Sequence, residues 1–132
     1  MGKSRVNWKG DAIKRKADLA SRLAIDATMS AAIILARANH TAGARGSGRF
    51  ESHSGDTERG IKIIRQAERT RKGVTGRWGA QLVHARRLEL GFQGKDKLGR
   101  VVNAPAYPFL RPAAQTEYPK LAGRVRKAFA IA

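Results

Sequence analysis

Gly60-Ile61-Lys62-Ile63-Ile64-Arg65-Gln66-Ala67-Glu68, then Arg69-Thr70-Arg71-Lys72-Gly73, then Val74-Thr75-Gly76-Arg77-Trp78-Gly79-Ala80-Gln81-Leu82: this stretch decides the fold. In its last part Val74, Gly76, Trp78, Ala80 and Leu82 alternate with Thr75, Arg77, Gly79 and Gln81. Successive side chains of a strand face opposite sides, so the alternation is that of a half-buried strand with one apolar face. Residues 60–68 are strand-like, and residues 69–73 read as a basic turn that joins the two strands into a hairpin.

Upstream the period changes. Ile13, Ala17, Ala20, Ala24, Ala27, Ala31, Ile34 and Ala38 recur at spacings of three and four, which is one face of a helix. Asp11 is placed to cap its start, and the pattern runs to about Asn39. Such a helix is about 40–45 Å long. Alanine at most seam positions permits close approach, either to the chain's own sheet or, along part of the helix, to another subunit. Residues 1–10 read as an arm docked by Trp8. Residues 40–58 read as a loop because His40, Gly43, Gly46, Ser47, Gly48, Ser52, Ser54 and Gly55 crowd it.

Downstream, residues 83–90 fit a short helix closed by Gly91 as C-cap. Residues 92–107 read as a second long loop holding a small hairpin around Lys97 to Val102. In Pro108-Phe109-Leu110-Arg111-Pro112-Ala113, Pro108 drives Tyr107 into an extended conformation. Phe109 and Leu110 supply bulk for burial, and Pro112 suits the first turn of a helix. The segment therefore reads as a strand feeding a C-terminal helix, which Pro119 kinks or restarts. Beyond Pro119, Leu121, Val125 and Phe129 form an apolar stripe opposite Lys120, Arg124 and Lys127. The expected fold is α+β: a long N-terminal helix and a C-terminal helix packed on a small antiparallel sheet, in a single domain over 1–132.

Charge bounds the partners. The 132 residues carry 27 Lys and Arg against 10 Asp and Glu, a formal net charge of +17, with a pI near 11.5. Residues 1–50 hold ten of the basic side chains and 51–132 the other seventeen, so no single basic tail explains the excess. A polyanion is the expected partner, nucleic acid first and an acidic protein surface second. The 42% hydrophobic content argues for a folded core. Without cysteine there is no disulfide framework and no thiolate metal site. The longest apolar run, residues 31–36, falls well short of the about 20 residues of a membrane span, and Asp11, Asp18 and Asp26 count against a transit peptide. No membrane partner is expected.

The residues of catalysis do not assemble. His40, His53 and His84 share no metal-ligand spacing, and His40 and His53 read as solvated in the loop. No nucleophile elbow, phosphate loop or dinucleotide fingerprint occurs. Glu89, set between Leu88 and Leu90 before Gly91, reads as a carboxylate paired with an arginine such as Arg111. Neither an enzyme nor a cofactor is expected. Zinc-finger, basic-zipper and RNA-binding aromatic patterns are also missing, so dispersed electrostatic contact is favoured over base reading.

Three segments in order resemble the small neck proteins of tailed bacteriophages, the head–tail joining, tail-completion or minor tail components of lambdoid siphophages. Members carry Thr-Gly-x-Leu-x-x-Ser-Ile after a long helix, then Tyr-Ala-x-x-Val-Glu-Phe-Gly, then Pro-Phe-Leu-Arg-Pro-Ala. The counterparts here are residues 54–61, residues 84–91 and residues 108–113. The third match is complete. The second keeps Ala85, Glu89 and Gly91 with His84 in the tyrosine place; the first has Thr57 in the leucine place. Glu89, Gly91, Pro108, Phe109, Leu110, Arg111 and Pro112 are the structural motif.

The resemblance implies a structural virion protein, assembled in the host cytoplasm and resident in the phage neck. It would form a homo-oligomeric, hexameric ring around the DNA exit channel. Its neighbours would be other neck proteins on the connector or stopper side and on the tail-terminator side, with double-stranded DNA passing through non-specifically. A compact domain of this size is about 36 Å across, and a ring that deep surrounds roughly 20 phosphates. Six copies bring far more positive charge than that, so much of it is expected to face acidic neighbouring rings. Arg45, Arg49, Arg69, Arg71, Lys72 and Arg77 are the candidates for lumen or ring contacts. The alternative is a stand-alone basic protein that binds double-stranded nucleic acid; a basic ribosome-associated or membrane-surface protein comes third.

Overall fold

The computed structural model describes residues 9–47, 59–81, 83–95, 97–106 and 108–131. The arm with Trp8, residues 48–58 with Arg49 and His53, and Leu82 and Tyr107 lie outside them.

The architecture is α+β, organised on one helix. Helix α1 spans Gly10–Ser47, 38 residues or about 57 Å. It alone exceeds the width of a compact domain of this mass. It opens one residue before the expected cap: Ile13 N donates to Lys9 O at 3.1 Å, and Asp11 sits in the first turn, where a carboxylate favours the positive end of the dipole. It also runs past Asn39, because His40 is a core residue rather than a loop residue. His40 is 2% exposed, its ring edge-on to Phe109 with centroids 5.2 Å apart.

The buried positions of α1 include Ala20, Ala24, Thr28, Ala32, Ala36 and His40, each four residues after the last, with Met29 and Ile33 buried beside them. A constant step of four overshoots a 3.6-residue turn, so the buried stripe winds around the rod. The expected seam follows it through Ala20 and Ala24 and then departs; Ala27 and Ala38 are exposed, and Ile34 is 69% exposed. Two partners laid on different faces cause the winding.

The first partner is a hairpin of β1 (Ile61–Thr70) and β2 (Gly73–Ala80), paired antiparallel. It lies lengthwise on α1: Arg37 Nη2 donates to Ile61 O at 2.8 Å, Asp26 Oδ1 accepts from Ala67 N at 2.9 Å, and Asp18 Oδ1 accepts from Arg69 Nη1 at 3.5 Å. The lengths agree. From residue 37 to 18 the helix climbs about 28 Å, and from 61 to 69 a strand covers about 26 Å.

The second partner is the C-terminal helical segment. After β2 come α2 (Val83–Leu90), capped by Gly91 in the left-handed region at φ 77°, and a hairpin of β3 (Phe92–Lys95) and β4 (Val101–Ala104). That hairpin occupies most of the stretch expected as loop and forms a separate two-stranded sheet. Helix α3 (Leu110–Glu117), a 3-10 turn at Tyr118–Lys120 containing Pro119, and α4 (Leu121–Ile131) then return along α1. No strand feeds α3, since β4 ends at Ala104. The C-terminal helices pack on α1 rather than on the sheet: Asn39 Nδ2 donates to Phe109 O at 3.4 Å, Arg124 Nη1 to Thr28 Oγ1 at 3.0 Å, and Lys16 Nζ lies 4.8 Å from the Phe129 ring centroid. Arg124 thus turns inward, off the charged face expected for it.

The core sits where these elements converge, in Ile33, Ala36, Ile61, Ala85, Phe109 and Ala113, with Leu35, Ile63, Trp78, Ala80 and Leu110 packed around it. Over one 18-residue window α1 has a mean hydropathy of 1.5, long and apolar enough to cross a membrane by length and composition. In the fold 39% of that window is buried, and the carboxylate of Asp26 is occupied by the hairpin.

Candidate polyanion-binding face

The hairpin carries Lys62, Arg65, Arg69, Arg71, Lys72 and Arg77 against one carboxylate, Glu68. Its tip is tighter than the expected five-residue turn. Only Arg71 and Lys72 link the strands, with Thr70 Oγ1 accepting from Lys72 N at 3.3 Å and donating to Gly73 O at 2.9 Å. Gly73, at φ 121°, takes a backbone conformation that favours glycine.

Register decides which cations face outward. Ile61, Lys62 and Ile63 pair with Ala80, Gly79 and Trp78; Arg65 pairs with Arg77; Glu68, Arg69 and Thr70 pair with Thr75, Val74 and Gly73. The register slips between Ile63 and Arg65 and again between Arg65 and Glu68, each slip placing one extra residue on β1 as in a β-bulge. Ile61, Ile63 and Trp78 face α1. By strict alternation Arg65 would follow Ile61 and Ile63 inward. The first bulge turns it to the outer face, directly opposite Arg77. The second frees the Ala67 amide for Asp26 and restores the phase, so that Arg69 faces inward to Asp18.

Lys62, Arg65, Arg71, Lys72 and Arg77 are all exposed. Arg65 Nη1 is 3.4 Å from Glu68 Oε1, an exposed pair of little strength. Beside the tip, Lys14, Arg15, Asp18 and Arg69 line one shallow depression. Arg22 Nε approaches Asp18 Oδ2 to 2.9 Å as an ion pair, without the directional geometry of a hydrogen bond. Asp18 is the carboxylate of a depression that also holds Lys14, Arg15 and Arg69.

Of the residues singled out by sequence, Arg71, Lys72 and Arg77 lie on this face, and Arg69, also exposed, turns to the other side toward Asp18. Arg45 lies within α1. Arg65 and Lys62 escape sequence reading because only the register reveals that the first stands opposite Arg77.

The motif residues form a different joint. Among the described residues the Glu89 carboxylate pairs with no arginine side chain. Its Oε2 accepts from Phe109 N at 2.7 Å and Leu110 N at 2.9 Å, and its Oε1 from Arg111 N at 2.8 Å. Phe109, at the N-cap of α3, makes no side-chain cap of its own, so Glu89 satisfies the orphan amides from another helix. Gly91 ends α2 just past Glu89, Pro108 precedes the joint, Phe109 is 2% exposed, and Leu110 packs beside the core. Pro112 stands in the first turn of α3, and Arg111 is exposed.

A second polar joint lies under α4. Buried Glu117 accepts from Arg124 Nη2 at 2.6 Å and from Lys120 Nζ at 3.4 Å, while Trp78 Nε1 donates to Tyr118 Oη at 3.0 Å and ties β2 to the turn above. The Arg124 hydrogen bond, with Lys120 adding to it, holds the Glu117 carboxyl below the usual carboxylate range, against burial, which pushes the other way.

Among the described residues no group of three His, Cys, Asp or Glu side chains is arranged to hold a metal ion. No protein-family model, curated protein or solved structure matches the chain.

Proposed function

We propose that the chain is a structural subunit of a tailed-phage neck, a ring component that joins head connector to tail around the DNA exit channel. One observation carries this reading. Residues 84–91 and 108–113, through which the sequence resembles that family, meet in one joint: Glu89 at the end of α2 accepts the three amides that open α3. A carboxylate and a Pro-Phe-Leu-Arg-Pro-Ala segment some twenty residues apart are then one structural unit, so two of the three stretches of resemblance fall on one joint. The basic hairpin suits a channel through which a polyanion passes.

Electron microscopy and light scattering of the purified protein test the proposal. Symmetric rings are expected, formed alone or on purified connectors or tails. A chain that stays monomeric in both settings overturns it.

The outward cations of the hairpin favour a second reading, a stand-alone duplex-binding protein. It requires binding that weakens steeply with salt. Negligible duplex binding at about 50 mM salt removes it.

A further inference from the structure

We infer that the outer face and tip of the β1–β2 hairpin, with Lys62, Arg65, Arg71, Lys72 and Arg77, are a contact surface for the phosphate backbone of double-stranded nucleic acid. The inference deepens the neck reading, on which it rests for its setting, by naming the surface that meets the DNA.

The like-charge pair is the first ground. Arg65 and Arg77 stand directly opposite each other on an exposed face, an arrangement that destabilises a hairpin. The chain adopts it through a bulge, although strict alternation would have sent Arg65 to the other side. Two guanidiniums held a cross-strand distance apart, about 5 Å between their Cβ atoms, can engage one phosphate or two neighbouring ones, since a guanidinium fork matches phosphate oxygens.

Composition of the face is the second ground. A protein-docking surface needs an apolar or aromatic centre within a polar rim. Here the exposed large apolar side chain among the cations is Ile64, at 39%, while threonine, glutamine, glycine and one carboxylate, Glu68, weakly paired with Arg65, fill the rest of the outward positions. A cationic rim without a centre fits a phosphate backbone better than an acidic protein.

Shape is the third. A two-stranded ribbon is narrow enough for the major groove, about 12 Å wide, and its tip presents Arg71 and Lys72 beyond the strands. Arg69 stays exposed but lies on the other side of the strand, 3.5 Å from Asp18, and is not counted in this face. No base-reading set accompanies these cations, so contact is to the backbone and is insensitive to sequence.

The test is anisotropy of a short labelled duplex titrated with full-length protein from about 50 to 200 mM salt. Each phosphate contact contributes about 0.9 to the slope of log affinity against log salt. Arg65→Ala/Arg77→Ala is therefore expected to flatten the slope by about 2 and to weaken binding roughly tenfold or more. Arg126→Ala/Lys127→Ala, which removes equal charge from exposed positions of α4, is expected to stay within about threefold of wild type, and Arg65→Lys/Arg77→Lys to keep the slope. Equal losses in the hairpin and α4 pairs, or no duplex binding by wild type, overturn the inference. So does polyglutamate that competes as well as duplex, which would make the partner an acidic protein.

Thermal melting separates a binding role from a structural one. In dilute salt Arg77→Ala is expected to melt roughly 1–3 °C higher than wild type, because the opposed charge is gone; a lower melting temperature makes Arg77 structural and overturns the inference. Ring formation is followed on the same variants. Rings whose hairpin variants bind duplex like wild type overturn the inference and leave the neck reading standing. A monomer that binds duplex through the hairpin does the reverse.

Discussion

Glu89 shows how much one side chain can hold. Its two oxygens accept three backbone amides, charge-assisted bonds at the positive end of a helix. Glu89→Ala leaves those amides to water or unpaired, and a loss of about 2–3 kcal/mol is expected. Glu89→Gln keeps one acceptor oxygen and should lose less. Urea unfolding reads both as a lower midpoint with an unchanged slope. Glu117 is the other test at this scale. Its folded pKa is depressed, so its contribution is complete above the unfolded value of about 4.3 and is lost as pH falls through the lower folded value. Glu117→Gln should therefore cost about 1–2 kcal/mol near neutrality, with the gap to wild type closing below about pH 4; a constant gap across that range would contradict the pairing. Glu89 was picked from the sequence as an isolated acid before Gly91. Glu117 was not, and neither were the partners of either one, because backbone amides carry no signature in composition and Arg124 reads as one more surface cation.

Between elements, fit is set by small residues. Gly76 brings β2 onto α1: a Cβ there would stand 2.6 Å from Met29 Cε, 2.8 Å from Met29 Sδ and 3.0 Å from Ile25 Cγ2. Gly76→Ala is expected to cost about 1–3 kcal/mol. It should cost less in a Met29→Ala background, where the thioether is gone, and a double-mutant cycle by urea unfolding measures the difference. The alternation of β2, the turn, the Gly91 cap and the break at Pro119 were all legible, because each rests on chemistry within a few residues. The seam of α1 was legible only at Ala20 and Ala24, its first position, Ile13, being 56% exposed. A regular spacing of three and four assumes one flat partner, whereas the hairpin and the C-terminal helices approach from different sides and draw the buried stripe around the rod. His40 was misplaced for the same reason: its glycine neighbours predict a loop, and only Phe109, 69 positions later in the chain, makes it core.

For the whole molecule the excess charge dominates. With +17 on 132 residues, and few carboxylates near the hairpin tip, the folded chain repels itself at low ionic strength. Added salt is expected to raise the melting temperature of the free protein by several degrees as that repulsion is screened, while weakening its hold on any polyanion. A chain whose melting temperature falls with salt would depend instead on its exposed ion pairs. Fold class followed from the sequence because helical and strand periods occupy separate segments. The cationic face did not, since it depends on pairing that composition leaves open.

That pairing has a parity. Strand β1 exceeds its partner by two residues, one at each bulge. Straightening either bulge with its extra residue kept would send every side chain between it and the tip to the opposite side, exposing what faces α1 and burying what faces out. Deleting the extra residue instead turns the bulge into regular pairing and leaves inside and outside as they are. Chains related to this one are thus expected to differ in β1 by single residues at the two bulges, and elsewhere in the strands by even steps.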